Sequence, residues 1–166
     1  MPLTPRIAPC LWFDYQAEEA ANFYVSIFEN SKIVSIARYT KAGQEVHKRA
    51  PGSVMTVAFE LDGQALTALN AGPLFHFTEA ISLQVYCDTQ EEIDRHWEQL
   101  SKGGDPRAQQ CGWLKDKYGL SWQIAPRVLT ELLKDHESAT AQRAMEAVLR
   151  MKKIDIAELE RSVVVA

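Results

Sequence analysis

Residues 12–19 read WFDYQAEE, and residues 86–92 read YCDTQEE. Both pass from an aromatic residue through one position to Asp, then through one more to Gln, and close on glutamates. Farther on, Tyr24 and Ile27 occupy the helix positions that Trp97 and Leu100 occupy in the second copy. An acidic residue opening a helix with Glu behind it is common, so the match alone proves little. Its surroundings decide the reading: a strand precedes each copy and a hairpin follows each. The chain reads as an internal duplication.

Working outward from the first copy, IAPCLWF (7–13) alternates as a strand, and Asp14 is placed to cap a helix over YQAEEAANFYVSIF. Ala20, Phe23, Tyr24, Ile27 and Phe28 give that helix one apolar stripe. SKIVSIARYT (31–40) is a strand rich in β-branched residues, and KAGQEVHKRAPG reads as a loop or ragged hairpin. SVMTVAFEL and QALTALN are two strands joined at Asp62-Gly63, a strong hairpin signal. In the second copy AISLQVYC (80–87) is a strand. Asp88 is placed to cap TQEEIDRHWEQLSKGG, with Ile93, Trp97 and Leu100 as its stripe and Gly103-Gly104 as its stop. CGWLKD and LSWQI then pair across the turn Asp116–Gly119. Beyond Pro126 the pattern is helical: Val128, Leu129, Leu132 and Leu133 form one stripe, and Ala144, Met145, Val148, Leu149 and Met151 another. Asp155 can cap a final IAELERSV. The order is β-α-β-β-β, then β-α-β-β, then helices.

At 166 residues, 46% hydrophobic and 24% charged, the chain suits one soluble domain with an appendage. A net charge of −4 argues against nucleic acid as partner, because phosphate binding needs clustered cations. Arg150-Met151-Lys152-Lys153 is too short to read as more than a solvated helix end. No apolar run approaches a membrane span, and MPLTPRIAPC has no signal-peptide core, so a cytoplasmic protein is expected. Three cysteines without close pairing, Cys10, Cys87 and Cys111, read as reduced thiols.

Several blocks carry a family resemblance: LWFDYQAEEAANFY, LNAGP, AISLQVYCDTQEEIDRHWEQL, GWLKDKYGLSWQI and the tail RMKKIDIAELE. Together they resemble the PhnB-like family, which often bears a 3-demethylubiquinone-9 3-methyltransferase domain label. That family lies in the vicinal oxygen chelate superfamily of glyoxalases, bleomycin-resistance proteins and extradiol dioxygenases. The resemblance spans essentially the whole chain. It implies an α+β fold of tandem βαβββ modules at about 5–72 and 78–126, followed by a helical extension at 127–166. It also implies curled sheets around a cavity, with helices on the outer faces, and a homodimer.

On that picture Leu120, Trp122 and Ile124 face a helix while Ser121 and Gln123 face the cavity. In AISLQVYC, Ser82, Gln84 and Tyr86 take the cavity side; in IAPCLWF, Ala8, Cys10 and Trp12 do. Uncharged polar groups beside aromatic rings suit a small-molecule site, although a barrel interior also needs amides to satisfy its own hydrogen bonds. Cys10, Trp12, Asn70, Ser82, Gln84, Tyr86, Trp113 and Gln123 are the expected binding residues. Asn70, before Ala71-Gly72-Pro73, could orient a ligand or cap the strand end.

Metal-dependent relatives would place ligands near Ala8, Thr67, Ser82 and Gln123. Alanine cannot ligate, hydroxyls ligate poorly, and a neutral amide does not offset a divalent charge, so no metal and no cofactor are expected. His47, His76, His96 and His136 are not at ligand spacing. His96, beside Trp97, reads as a surface or boundary residue, and His76 is the one group to watch as an acid or base. Methyl transfer would need a glycine-rich loop opening a helix, whereas Gly103-Gly104 closes one. No histidine is placed to activate Cys10 or Cys111. The expected function is therefore metal-free binding of a small apolar or aromatic molecule, with no catalytic residue assigned. Alternatives are sequestration without turnover, as in bleomycin resistance, and, with less support, a metal-dependent lyase or isomerase or a methyltransferase.

Overall fold

The computed structural model describes residues 6–164. It divides into two compact units, one ending at His76 and the other beginning at Phe77. The first contains β1 (Cys10–Phe13), α1 (Ala17–Ile27), β2 (Lys32–Arg38), a short α2 (Gln44–His47), β3 (Val54–Leu61) and β4 (Gln64–Asn70). Its sheet runs β1-β4-β3-β2, with β1 parallel to β4 and the other pairs antiparallel. Asp62 and Gly63 both take positive φ, as the predicted two-residue hairpin requires. α1 covers one face, burying Ala17, Ala20, Ala21, Tyr24 and Ile27 with Leu11, Phe13, Val57, Phe59, Leu66 and Ala68. The Tyr24 and Phe59 rings stack at 6.4 Å between centroids.

Asp14 does not cap α1. It forms an ion pair with Arg49 at 3.1 Å, and the helix start is satisfied from across the unit. Asn70 Oδ1 accepts the Ala17 amide at 2.8 Å, and its Nδ2 donates to the Val54 carbonyl at 3.1 Å. The loop expected at 41–52 does hold one helical turn, α2, entered and left through left-handed Gly43 and Lys48.

The second unit contains β5 (Ser82–Cys87), α3 (Gln90–Ser101), β6 (Trp113–Lys115), β7 (Ser121–Pro126), α4 (Arg127–Leu132), α5 (Ala139–Arg150) and α6 (Ile156–Val163). The sheet order is β5-β7-β6, with β5 parallel to β7. The strand order read along the chain is kept, and neither sheet closes. The second sheet has one strand fewer than a full βαβββ module: where the first unit has β2, residues 106–108 form a 3-10 turn. Pro106 supplies no amide hydrogen there, and Asp105 accepts from the Arg107 amide, so a capped turn replaces a ladder. The α3 cap falls one residue later than expected: Thr89 and Glu92 form a reciprocal capping box.

The turn in DKYGLSWQI is organised by a buried carboxylate. Asp116, 2% exposed, accepts the Tyr118 and Leu120 amides on Oδ1 at 2.8 and 3.1 Å. Its Oδ2 accepts the indole N–H of buried Trp122 at 2.9 Å. Gly119 follows at φ +85°, a conformation that costs any residue with a Cβ about 1–2 kcal/mol. Asp116 therefore fixes both the β6–β7 hairpin and the inward orientation of Trp122. From the sequence it reads only as a turn residue.

The C-terminal helices belong to this unit. Ala144, Ala147, Val148, Met151, Ile154 and Leu159 form their core, against which Cys111, Val128, Leu129, Leu132, Leu133 and Val163 pack. Ala147 takes the place expected for Met145 and Leu149, which are exposed on the other side of α5. The segment linking α5 to α6 is tied down by backbone: the Cys111 and Gly112 amides donate to the Met151 and Lys152 carbonyls at 2.8 and 2.7 Å. Gln90 then acts as a surrogate peptide, donating to the Ile154 carbonyl at 3.1 Å and accepting the Ile156 amide at 2.8 Å.

Two expectations follow. Asp116→Ala strands the Trp122 indole and two amides and should cost about 3 kcal/mol or more by urea unfolding, with Asp116→Asn costing about half. Equal stability of both variants with the wild type would exclude this role. Ending the chain after Pro126 should leave a second unit that binds the dye ANS and melts without cooperativity, while Gln90→Ala should cost about 1–2 kcal/mol.

Candidate functional site

In a strand, alternate side chains leave opposite faces, so register decides what meets what. Parallel pairing sets Ser82 opposite Ser121, Gln84 opposite Gln123 and Tyr86 opposite Ala125. Antiparallel pairing adds Trp113 beside Gln123 and Lys115 beside Ser121. α3 takes the other face: Leu114, Trp122, Ile124 and Cys87 are buried there with Ile93, His96 and Leu100. Five of the expected binding residues, Ser82, Gln84, Tyr86, Trp113 and Gln123, thus share the face that α3 leaves uncovered.

Four of them form a hydrogen-bonded ladder. Tyr86 OH donates to Gln84 Oε1 at 3.0 Å, and Gln84 Nε2 to Gln123 Oε1 at a longer 3.4 Å. Gln123 Nε2 donates to Ser82 Oγ at 2.8 Å. Gln84 and Tyr86 are exposed, and Gln123, Ser82 and Trp113 are half-buried. Charge is confined to the margins. Arg127 lies 5.9 Å from the Tyr86 ring centre and pairs with Asp88 at 3.2 Å. Lys115 pairs with Glu79, and that hydrogen bond holds the Glu79 carboxyl below its ordinary range.

The other three expected residues lie in the first unit. Cys10 and Trp12 leave β1 on the face away from α1, in register with Thr67 and Leu69. The Trp12 indole donates to the Gly72 carbonyl at 2.8 Å and meets Phe75 edge-on at 4.8 Å, so the loop after β4 folds back onto it. Asn70 points to the opposite, helix-covered face, where both ends of its amide serve the fold. Cys10 pairs with Thr67 as Gln84 pairs with Gln123, each three residues before the end of its pair of strands. The duplication read from sequence holds at the level of strand register.

Among the described residues, no three His, Cys, Asp or Glu side chains converge in a way that could hold a metal ion. His96 departs from expectation: it is buried in the α3 stripe, with Nδ1 3.7 Å from Cys87 Sγ, while Trp97 is only half-buried. Burial pushes the Cys87 thiol up to about 11, so the pair holds a neutral thiol and not an activated thiolate. Partial desolvation raises the Cys10 thiol as well. His76 is exposed in its loop. The strand-to-helix connections, Asp14-Tyr15-Gln16 and Asp88-Thr89, contain no glycine, so neither fits the phosphate- or cofactor-cradling turn described above.

The family model described as 3-demethylubiquinone-9 3-methyltransferase matches residues 5–125. A PhnB protein from Bacillus cereus carrying the same methyltransferase description is 39% identical; the match covers 74% of this chain and 99% of that one, with a TM-score of 0.62. A protein from Staphylococcus aureus is 31% identical over 72% of this chain and 94% of its own, with a TM-score of 0.32. Protein PA1353 from Pseudomonas aeruginosa shares the fold at 19% identity, covering 74% of this chain and 98% of its own, with a TM-score of 0.56. A search of curated proteins gave no match. By family model, identity and fold, the chain belongs to the PhnB-like family, described as 3-demethylubiquinone-9 3-methyltransferase.

Proposed function

We propose that the protein binds a small apolar or aromatic molecule on the amide-lined sheet face of its second unit, without a metal ion. The observation that carries this reading is the ladder from Tyr86 through Gln84 and Gln123 to Ser82, flanked by the indole of Trp113. Aromatic surface supplies contact area, and fixed neutral donors and acceptors supply orientation. The same groups disfavour a cation, because amides and hydroxyls bring no charge to offset it. The family description raises methyl transfer, but the β1–α1 and β5–α3 connections contain no glycine and give S-adenosylmethionine no seat of the usual kind, so no such step is assigned.

Sequestration without turnover is the second reading. It is favoured by the absence, among the described residues, of a histidine on this face, and by Lys115 being already paired with Glu79. A cytoplasmic homodimer completes the proposal, with a second copy covering Met145 and Leu149, one turn apart on α5.

Nuclear magnetic resonance with neutral aromatic fragments (indole, 2-naphthol, acetophenone) tests the binding reading. Saturable shifts should centre on Gln84, Gln123 and the Trp113 indole, and Gln123→Ala should weaken binding about tenfold, the loss of one desolvated hydrogen bond. Shifts centred elsewhere, or one equivalent of a transition metal in purified protein, would refute it. Adding S-adenosylmethionine should leave the melting temperature unchanged, and light scattering should give twice the chain mass of 18.7 kDa.

A further inference from the structure

A cavity of about 200 Å³ opens in the first unit at the N-terminal end of α1, between that helix, the start of β3 and the end of β4. Tyr15, Glu18, Arg49, Ser53, Val54 and Asn70 line it. Two of these residues carry opposite charges that the fold leaves largely unused. The Glu18 carboxylate has no partner among the described residues; only the Glu18 carbonyl is engaged, by Asn22 Nδ2 at 2.8 Å. Arg49 gives one guanidinium N–H to Asp14 at 3.1 Å, and its other N–H groups meet no acceptor among the described residues. Glu18 and Arg49 do not pair with each other. Arg49 is held in place all the same. Its amide donates to His47 Nδ1 at 3.0 Å, and the His47 ring packs on Tyr39 at 4.5 Å between centroids. Its guanidinium lies against Gly72, where a Cβ would come within 2.8 Å of Nη2. Asn70 forms the most buried wall, with both ends of its amide already spent on Ala17 and Val54. Two residues of the LNAGP block therefore shape this cavity.

We infer that this cavity binds a small zwitterion, an α-amino acid with an apolar side chain, through its ammonium on Glu18 and its carboxylate on Arg49. The lining sorts into one set of acceptors and one set of donors. Ser53 Oγ gives its proton to the Ala50 carbonyl at 2.6 Å, so toward the cavity it offers lone pairs, as the Glu18 carboxylate does. An ammonium only donates and suits both. A guanidinium only donates, and its planar fork suits a carboxylate. Val54 and the Tyr15 ring supply apolar contact. The volume equals about seven water molecules and falls below the roughly 300–1,000 Å³ of drug-sized sites, so the occupant is small. Charge narrows the choice further. Asp14 and Glu18 already outnumber Arg49, so an anion alone adds repulsion. A simple amine would cover the spare Arg49 N–H groups without giving them an acceptor, which is costly. A zwitterion answers both groups and leaves the net charge unchanged. A first-turn glutamate also favours the positive end of α1, but Glu19 stands in the same turn, and that role gives the Glu18 carboxylate no proton donor.

This cavity is separate from the sheet face of the second unit, and the two readings stand or fall independently. L-Leucine, N-acetyl-L-leucine (no ammonium) and 3-methylbutylamine (no carboxylate) are titrated into the full chain, with amide chemical shifts as the readout. L-Leucine should bind about tenfold or more tighter than either analogue, because each analogue lacks one charge-assisted hydrogen bond. The shifts should centre on Glu18, Arg49 and Ser53. Glu18→Gln should weaken L-leucine about tenfold, leave N-acetyl-L-leucine within about threefold and keep the melting temperature. Arg49→Lys, which keeps the charge but loses the planar fork, should cut the advantage of L-leucine over the amine to about threefold or less. Equal binding of L-leucine and 3-methylbutylamine to the wild type would overturn the carboxylate's place on Arg49. N-acetyl-L-leucine binding as tightly as L-leucine would overturn the ammonium's place on Glu18. Shifts centred on Gln84 and Gln123, or no binding of L-leucine at millimolar concentration, would overturn the inference as a whole.

Discussion

The second unit depends on one pairing, the parallel, in-register alliance of β5 with β7. A slip of one residue would turn Trp122 and Ile124 away from α3 and bury Gln123 against it. That alternative exposes two large apolar side chains and strands an amide, so the hydrophobic pattern enforces the observed register. Asp116 reinforces it from the hairpin end by holding the Trp122 indole on the helix side. The polar ladder is a consequence: once the apolar side chains have chosen their face, Ser82, Gln84, Tyr86, Ser121 and Gln123 share the other.

The amide ladder also solves a problem that a half-covered sheet creates. A face too polar would favour hydration over any ligand, and a face wholly apolar would favour aggregation. Glutamines that satisfy one another across strands lower the cost of removing them from water while keeping their donors and acceptors fixed in direction. Terminal hydroxyls on Tyr86 and Ser82 let the chain end in groups able to engage something further. Ser121, buried beside the ladder with its hydroxyl unpartnered, adds nothing to the network that holds its neighbours.

Much of this was legible in the sequence. Alternation in LSWQI and SLQVY assigned the two faces correctly, and Asp62-Gly63 announced its hairpin. What the sequence hid were choices made between distant residues. Asp14 and Asp88 looked like helix caps, but Asn70 reaches Ala17 from 53 positions away, and Thr89 outcompetes Asp88 because Glu92 can answer it. His96 looked like a boundary residue because its partner, Cys87, is visible only once β5 and α3 pack. The family resemblance implied four strands in each sheet, whereas the residue pattern alone read three in the second, as observed, with a turn at Asp105-Pro106. The tail looked like an appendage, yet Gln90 and the Cys111–Gly112 backbone make it part of the second core. It lies beyond the residues the family model matches.

The most direct probe of the central claim is the side-chain amide of Gln123 in solution. If the register and ladder are as described, its NH2 protons show nuclear Overhauser contacts to the methylene protons of both Ser82 and Gln84, and the contact to Ser82 persists while ligand is absent. A Gln123 amide with averaged, solvent-like shifts and no contact across to β5 would contradict the account.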